Sequence, residues 1–299
     1  MTTLGGTMFV HNAVEYDYCV AEALRSLCAA CDNVVIVDAS STDGTVELLN
    51  AAATELGNLR VVTGAMWACA QDHRRLAMLS DFSASHLRTD WIFMLQADEV
   101  IHEDSIPAIR EAIESTSDDS FMVRRYNLFG DLNHYLRFDL PQIDKPCNDQ
   151  IVRLARTGNP AHGDAAGDAE SLRCDPHRLS FDFLDRIRII HYGMVRRDAA
   201  LIEKMITMQK WFFGHADPKI VGMVDQGRWD WELLKQRHML TRLEFEHPKF
   251  SREWAEERQR VKKELRDHKA IFLPAHLEDD EDRKTLEAEV SAAGKAVIR

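Results

Sequence analysis

The chain has no glycine between Phe9 and Asp17, in the stretch FVHNAVEYD that follows its first apolar run. That absence excludes the glycine-rich phosphate cradle of a dinucleotide-dependent oxidoreductase or a methyltransferase; a nucleotidyltransferase would want a glycine-rich, basic loop at the same point. No stretch approaches the about 20 consecutive apolar residues of a membrane helix. The start, MTTLGGTMFV, lacks the basic residues and long apolar run of a signal peptide, so the expected location is cytoplasmic. Cysteine is sparse and scattered (Cys19, Cys28, Cys31, Cys69, Cys147 and Cys174), which points to reduced thiols rather than a disulfide framework. Cys28 and Cys31 form a CxxC, but no second CxxC or HxxxH completes a zinc set, and buried small hydrophobes are the expectation. There is no internal repeat. Nor is there a basic excess: 37 Lys and Arg against 49 Asp and Glu give a net charge of −12, which disfavours nonspecific nucleic-acid binding. The acidity sits in residues 1–199, with 18 basic and 30 acidic, while 200–299 carry 19 of each. Carboxylates concentrated there can hold a divalent cation bridging to an anionic ligand; a solvated surface is the alternative.

What is present is a chain of 299 residues, 45% of them hydrophobic, enough for one large core or two small ones. TMFV (7–10) reads as a strand, and Val20, Leu24, Leu27 and Cys31 follow at helical spacing. VVIVD (34–38) is a second strand, SSTDG a turn, and TVELLNAAATEL a helix capped by Thr42 or Asp43. LRVVTG (59–64), a mostly helical stretch over 69–88, WIFML (91–95), and a helix over 104–115 with Pro107 in its first turn continue the alternation. Uninterrupted apolar strands separated by helices predict a parallel sheet covered on both faces, with ligands beyond the strands' C-terminal ends. Asp38 and Asp98 both lie at such ends.

Beyond residue 120 the rhythm changes. FMVRRYNLF (121–129), IVRLAR (151–156) and RIRIIHYG (186–193) predict strands joined by long irregular segments, which are often functional. From Asp198 the pattern is helical, with Leu201, Met205, Met208 and Phe212 on one stripe expected to pack, and charged helices expected around 227–245 and 251–268. The expected division is one unit over 1–197, changing character near 115, followed by a helical extension over 198–299.

Three segments in order, FVHNAVEYDYCVAEALRSL, VVIVDASSTDGTVELL and DWIFMLQADEVI, resemble the family-2 glycosyltransferases of the GT-A fold. The resemblance covers 7 to about 115 well and 150–195 more loosely. It implies a Rossmann-like three-layer α/β/α fold with a mostly parallel central sheet and a helical C-terminal extension. It also implies a metal-dependent, inverting transfer of a sugar from a nucleoside diphosphate, such as UDP, to an acceptor hydroxyl. By the same resemblance Asp38 accepts a hydrogen bond from the base, with His11 and Asn12 lining that pocket; a turn aspartate is the alternative for Asp38, and Asp43 is expected to cap the following helix. The QADE segment stands where the family holds Mn²⁺ or Mg²⁺ on the diphosphate. Gln96 replaces the first aspartate, so Asp98 is the expected direct ligand, Glu99 is next in line, and Gln96 is left to bond ribose or a metal-bound water. His191 resembles the histidine that completes the metal site. Arg196, Arg197 or Lys204 would contact the diphosphate.

An inverting transfer also needs a base for the acceptor hydroxyl. GDAAGDAESL (163–172) offers Asp168, then Glu170 and Asp164; an acidic surface loop is the rival explanation. Arg153 would bind acceptor or lock that loop. The acceptor expected is a glycan, a lipid-linked saccharide or a small molecule, with a nucleic-acid base disfavoured by charge. A noncatalytic sugar-nucleotide or partner-binding module on the same fold is the competing reading.

Overall fold

The four apolar runs of the N-terminal half line up as β3–β2–β1–β4, all parallel, in one larger sheet. They are β1 (Leu4–Val10), β2 (Asn33–Asp38), β3 (Leu59–Val62) and β4 (Trp91–Met94). The computed structural model describes residues 1–64, 67–69, 73–115, 118–129, 131–136, 149–157, 165–166, 169–225, 239–261 and 271–272. Helices α1 (Val20–Ala30), α2 (Thr45–Glu55), α3 (Arg74–Ala84) and α4 (Ile106–Ser115) separate the strands. Alternate strand residues feed opposite faces. Val34, Ile36, Trp91 and Phe93 pack with α1, α2 and α4, while Val35, Val37, Ile92 and Met94 pack with Leu79 of α3. Burial on both sides is why β2 and β4 read as unbroken apolar runs, whereas β3, at the sheet edge, is only partly buried and carries the exposed Arg60; each buried aliphatic side chain contributes about 1.5–3 kcal/mol.

The rest of the sheet is mixed, which corrects the expectation of a mostly parallel one. β5 (Glu99–Ile101), β6 (Ser120–Phe129), β7 (His134–Leu136), β8 (Gln150–Arg156) and β12 (Arg188–Met194) build it; two short strands, β9 (Ala165–Ala166) and β10 (Ser171–Leu172), form a separate ribbon, and β11 (Leu179–Ser180) lies along β6. β8 runs antiparallel to β4 and β6, and β7 antiparallel to β6. β6 and β8 pair antiparallel, an arrangement that needs no helical crossover. β12 inserts between β5, antiparallel, and β6, parallel.

After Arg197 come α5 (Asp198–Phe213), α6 (Pro218–Val221) and α7 (Arg252–Val261). β13 (Met239–Arg242) takes the edge beside β7, and β14 (Ile271–Phe272) lies next to it. β13 falls where a helix over 227–245 was expected. Edge pairing overrides a weak helical preference here, and 226–238 lie outside the described residues. Cys28 and Cys31 are buried free thiols, and burial pushes the Cys28 thiol up to about 12, as suits a small hydrophobe. No helix among the described residues is long and apolar enough to cross a membrane.

Candidate active site

β4 ends at Met94 and β5 begins at Glu99, so Gln96, Ala97 and Asp98 form the turn between them. The side chains of Asp98 and Glu99 go opposite ways, as successive strand residues do. Asp98 lines a cavity of 290 Å³ yet is only 5% exposed. Its Oδ2 accepts from Arg196 Nη2 at 2.7 Å and Lys204 Nζ at 2.9 Å, and its Oδ1 lies 3.5 Å from His191 Nε2. Burial alone would push its pKa up, but Lys204, His191 and Arg196 hold the carboxyl well below the usual range. Asp98 is therefore a fixed anion in a cationic nest. Arg196 is wholly buried behind it, with Nη1 donating to the Tyr16 carbonyl at 2.7 Å and the guanidinium over the Tyr18 ring, whereas Lys204 faces the cavity. Arg197 turns away to Asp17 and the Val14 carbonyl.

Strand register brings His191 to this point: on β12 it sits opposite Glu99 of β5 and Asn127 of β6. His191 Nδ1 donates to Asn127 Oδ1 at 2.8 Å, so that nitrogen carries the proton. Nε2 then faces Asp98 Oδ1 either as a second N–H or as a lone pair that needs a cation between them. Gly193, two residues on along β12, keeps the space beside it clear, because a Cβ there would sit 2.5 Å from Nε2. Asp98 Oδ1 and His191 Nε2 are thus two donors of the kinds a divalent cation takes, with the ring's other nitrogen held by Asn127; among the described residues no third His, Cys, Asp or Glu joins them.

Glu99, expected as a further ligand, is wholly buried and turned inward. Its Oε1 takes Arg125 Nη1 at 3.2 Å and Arg153 Nη2 at 2.5 Å, and its Oε2 accepts from the Gln96 backbone N–H at 3.0 Å. Isolated charges cannot stay ionised in a core, so the two arginines define where Glu99 goes. Arg125 also reaches Glu170 Oε2 at 2.5 Å, and Arg153 donates to the Ala169 carbonyl at 3.2 Å. Gln96 Nε2 donates to that same carbonyl at 3.3 Å. Burial would raise the Glu170 pKa, but Arg125 and Arg153 hold its carboxyl below the ordinary value. Asp164 and Asp168 lie outside the described residues.

On the other side of Asp98, His11 lines the cavity and stacks on Trp67, with ring centroids 4.0 Å apart. Its Nδ1 donates to the Ala39 carbonyl at 2.7 Å, and burial pushes its pKa down. Asn12 does not border the cavity: its Oδ1 accepts from the Thr42 N–H and its Nδ2 donates to Glu15, tying the end of β1 to the turn after β2. Asp38 is buried at the end of β2. Its Oδ2 accepts from the Ser41 N–H at 3.2 Å, while Oδ1 finds no hydrogen-bond partner among the described residues. Asp43 accepts from the Thr45 N–H at 3.1 Å, a capping bond one residue before Gly44, which starts α2 with a left-handed φ of 93°. The described non-glycine residues with positive φ are Asn12, Asp17, Ser40 and Ala169; none lines the cavity, but Asn12, Asp17 and Ala169 adjoin the lining residues His11, Tyr16 and Glu170 along the chain.

α5 forms the wall facing these groups. Leu201, Ile202 and Ile206 are buried against Phe129, Ile220 and Met223. Lys204, Met208, Trp211 and Phe212 line the cavity, so the methionine stripe expected to pack is split between core and cavity. Trp211 meets Trp67 edge to face, and the Arg75 guanidinium lies over both indoles. Asn127, Gly193, Trp67 and Trp211 carried no signal in the sequence, because strand register and helix docking bring them here.

Residues 8–181 match glycosyl transferase family 2. No curated protein matches the chain in sequence. Among solved structures the chain is similar to S. aureus TarS 1-349 in complex with UDP, at 13% identity over 75% of this chain and 70% of that one, with a TM-score of 0.42. It is also similar to glucosyl-3-phosphoglycerate synthase from Mycobacterium tuberculosis in complex with Mn²⁺, UDP and glucosyl-3-phosphoglycerate, at 14% identity over 43% of this chain and 45% of that one, with a TM-score of 0.30.

Proposed function

The chain belongs to glycosyl transferase family 2 and is a nucleotide-sugar glycosyltransferase, and from that premise we propose a metal-assisted, inverting transfer at the cavity beside Asp98. One observation carries the reading: a buried Asp98 carboxylate shares the cavity with His191 Nε2 and the Lys204 ammonium, beyond the C-terminal ends of β1 and β4. In the reaction the acceptor hydroxyl oxygen attacks the anomeric carbon on the face opposite the diphosphate. The bond from that carbon to the diphosphate oxygen breaks, its electron pair leaves with the diphosphate, and the hydroxyl proton passes to a carboxylate. Lys204, with Arg196 behind it, offsets the charge that builds on the leaving group. Asp98 and His191 would hold Mn²⁺ or Mg²⁺, which when bound supplies a hard positive charge to the diphosphate oxygens. The imidazole favours Mn²⁺.

His11, Asp38 and Gln96 form the nucleoside side, with the free Asp38 Oδ1 as acceptor for an N–H of the base, and Asn12 holds that rim in shape. Asp168 is the proposed base. Glu170, gripped by Arg125, is an anion of reduced basicity and serves better to orient the acceptor. Residues 1–197 form the catalytic unit and 198–299 an extension whose first helix walls the cavity. The acceptor is a glycan, a lipid-linked saccharide or a small molecule bearing a hydroxyl.

Thermal shift with a panel of sugar nucleotides, with and without Mn²⁺, followed by donor hydrolysis in the absence of acceptor, tests the reading. Metal-dependent stabilisation by one nucleotide family, with slow release of its sugar to water, is expected. Stabilisation without any hydrolysis would favour the noncatalytic module, and stabilisation by a nicotinamide dinucleotide instead would overturn both.

A further inference from the structure

The Glu99 cluster has the makings of more than an ion pair. Glu99, Arg125 and Arg153 are all at most 2% exposed and come from three strands, β5, β6 and β8. The cluster reaches two short segments, while Arg153 Nε is buried with no hydrogen-bond partner among the described residues. On the donor side, Glu99 Oε2 receives the Gln96 N–H, which shapes the turn that delivers Asp98. On the other side, Arg125 grips Glu170 and Arg153 grips the Ala169 carbonyl, the same oxygen that receives Gln96 Nε2. Ala169 is held at a φ of 63°, a conformation an alanine adopts only when its surroundings impose it. Buried ion pairs add little net stability over apolar residues of the same volume, so what such a cluster supplies is geometry. Arginine forks fix position better than lysine would, since each presents several donors in one rigid plane.

We propose that Glu99 is a positioning residue, which through Arg125 and Arg153 sets the segment 169–170 against the turn 96–98. The inference rests on the transferase reading, because it assigns Glu170 to the acceptor side of that cavity. Glu99 touches no substrate. It fixes the separation between the turn that carries Asp98 and Glu170 on the opposite side of the cavity.

Glu99→Gln tests this. The amide still accepts from the Gln96 N–H but gives up the charge that anchors both arginines. Binding of UDP with Mn²⁺ is measured by calorimetry, whose stoichiometry counts the folded sites, and hydrolysis of UDP-glucose and UDP-N-acetylglucosamine gives kcat and KM per folded site. The expected result is full stoichiometry, a UDP Kd within about threefold of wild type, and a kcat for hydrolysis at least tenfold lower with KM little changed. Arg125→Lys, which keeps the charge but cannot reach both Glu99 and Glu170, should show the same split and stands in should Glu99→Gln not fold. An unchanged kcat per folded site, or a loss of UDP affinity as large as the loss in kcat, overturns the positioning role alone. Wild type that hydrolyses none of the sugar nucleotides overturns the transferase reading and this inference with it.

Discussion

The two sides of the cavity are built by different means. On one side, around the C-terminal ends of β1 and β2, main-chain hydrogen bonds hold His11 in the cavity wall and the buried Asp38 behind it: Ala39 carbonyl to His11, Ser41 N–H to Asp38, Thr42 N–H to Asn12. On the acceptor side the strands are mixed and the loop is held by buried arginines on Glu99, Glu170 and Ala169. A parallel edge positions groups by topology, whereas a mixed region has to fix them by charge. Where charge does the fixing, at Asp98 as at Glu99, removing one member leaves buried partners uncompensated.

The sharpest break of that contrast is Asp98→Asn. It leaves Arg196 and Lys204 without their anion, and turnover should fall below detection while the fold persists, as circular dichroism and hydrolysis assays would show. Activity in this variant would remove Asp98 from the chemistry. Next, Asp168→Asn should slow turnover by about two to four powers of ten with donor affinity intact; parallel loss of donor affinity would move Asp168 to the donor side. On α5 the two faces should part company. Leu201→Ala, in the core against Phe129, should cost about 2–5 kcal/mol in denaturant unfolding. Gly193→Ala places a methyl against His191 Nε2 and should weaken the Mn²⁺ dependence of UDP binding by about 10- to 100-fold. Smallest is Met208→Ala on the cavity face of α5, with a stability loss under about 1 kcal/mol; a cost equal to that of Leu201→Ala would mean the cavity is core.

The same contrast governs what could be read in the sequence. β1, β2 and β4 were legible because burial on both faces leaves apolar runs, β3 by its place in the alternation, and Asp98 as the charge that ends one run. Strand direction beyond β4 was not, since hydrophobic pattern carries no polarity, and β13 was lost to a helical reading because its partner is an edge far away in sequence. Glu99, next in line after Asp98 as a ligand on sequence grounds, turns into the core instead. The correcting signal was present in FMVRRYNLF and IVRLAR: Arg125 and Arg153 sit within apolar runs, where a charge demands a buried counter-charge. The wall of Trp67, Trp211 and Gly193 depends on how α5 and β12 dock, which no local pattern encodes.

The central claim is that Asp98, with His191 and Lys204, grips a cation-bound diphosphate. Calorimetric titration of UDP into wild type and Asp98→Asn, each with Mn²⁺ and with EDTA, tests it most directly. Tight binding by wild type with Mn²⁺, weakened by EDTA and by the substitution alike, is the predicted result. Binding that is indifferent to both the metal and Asp98 would contradict it.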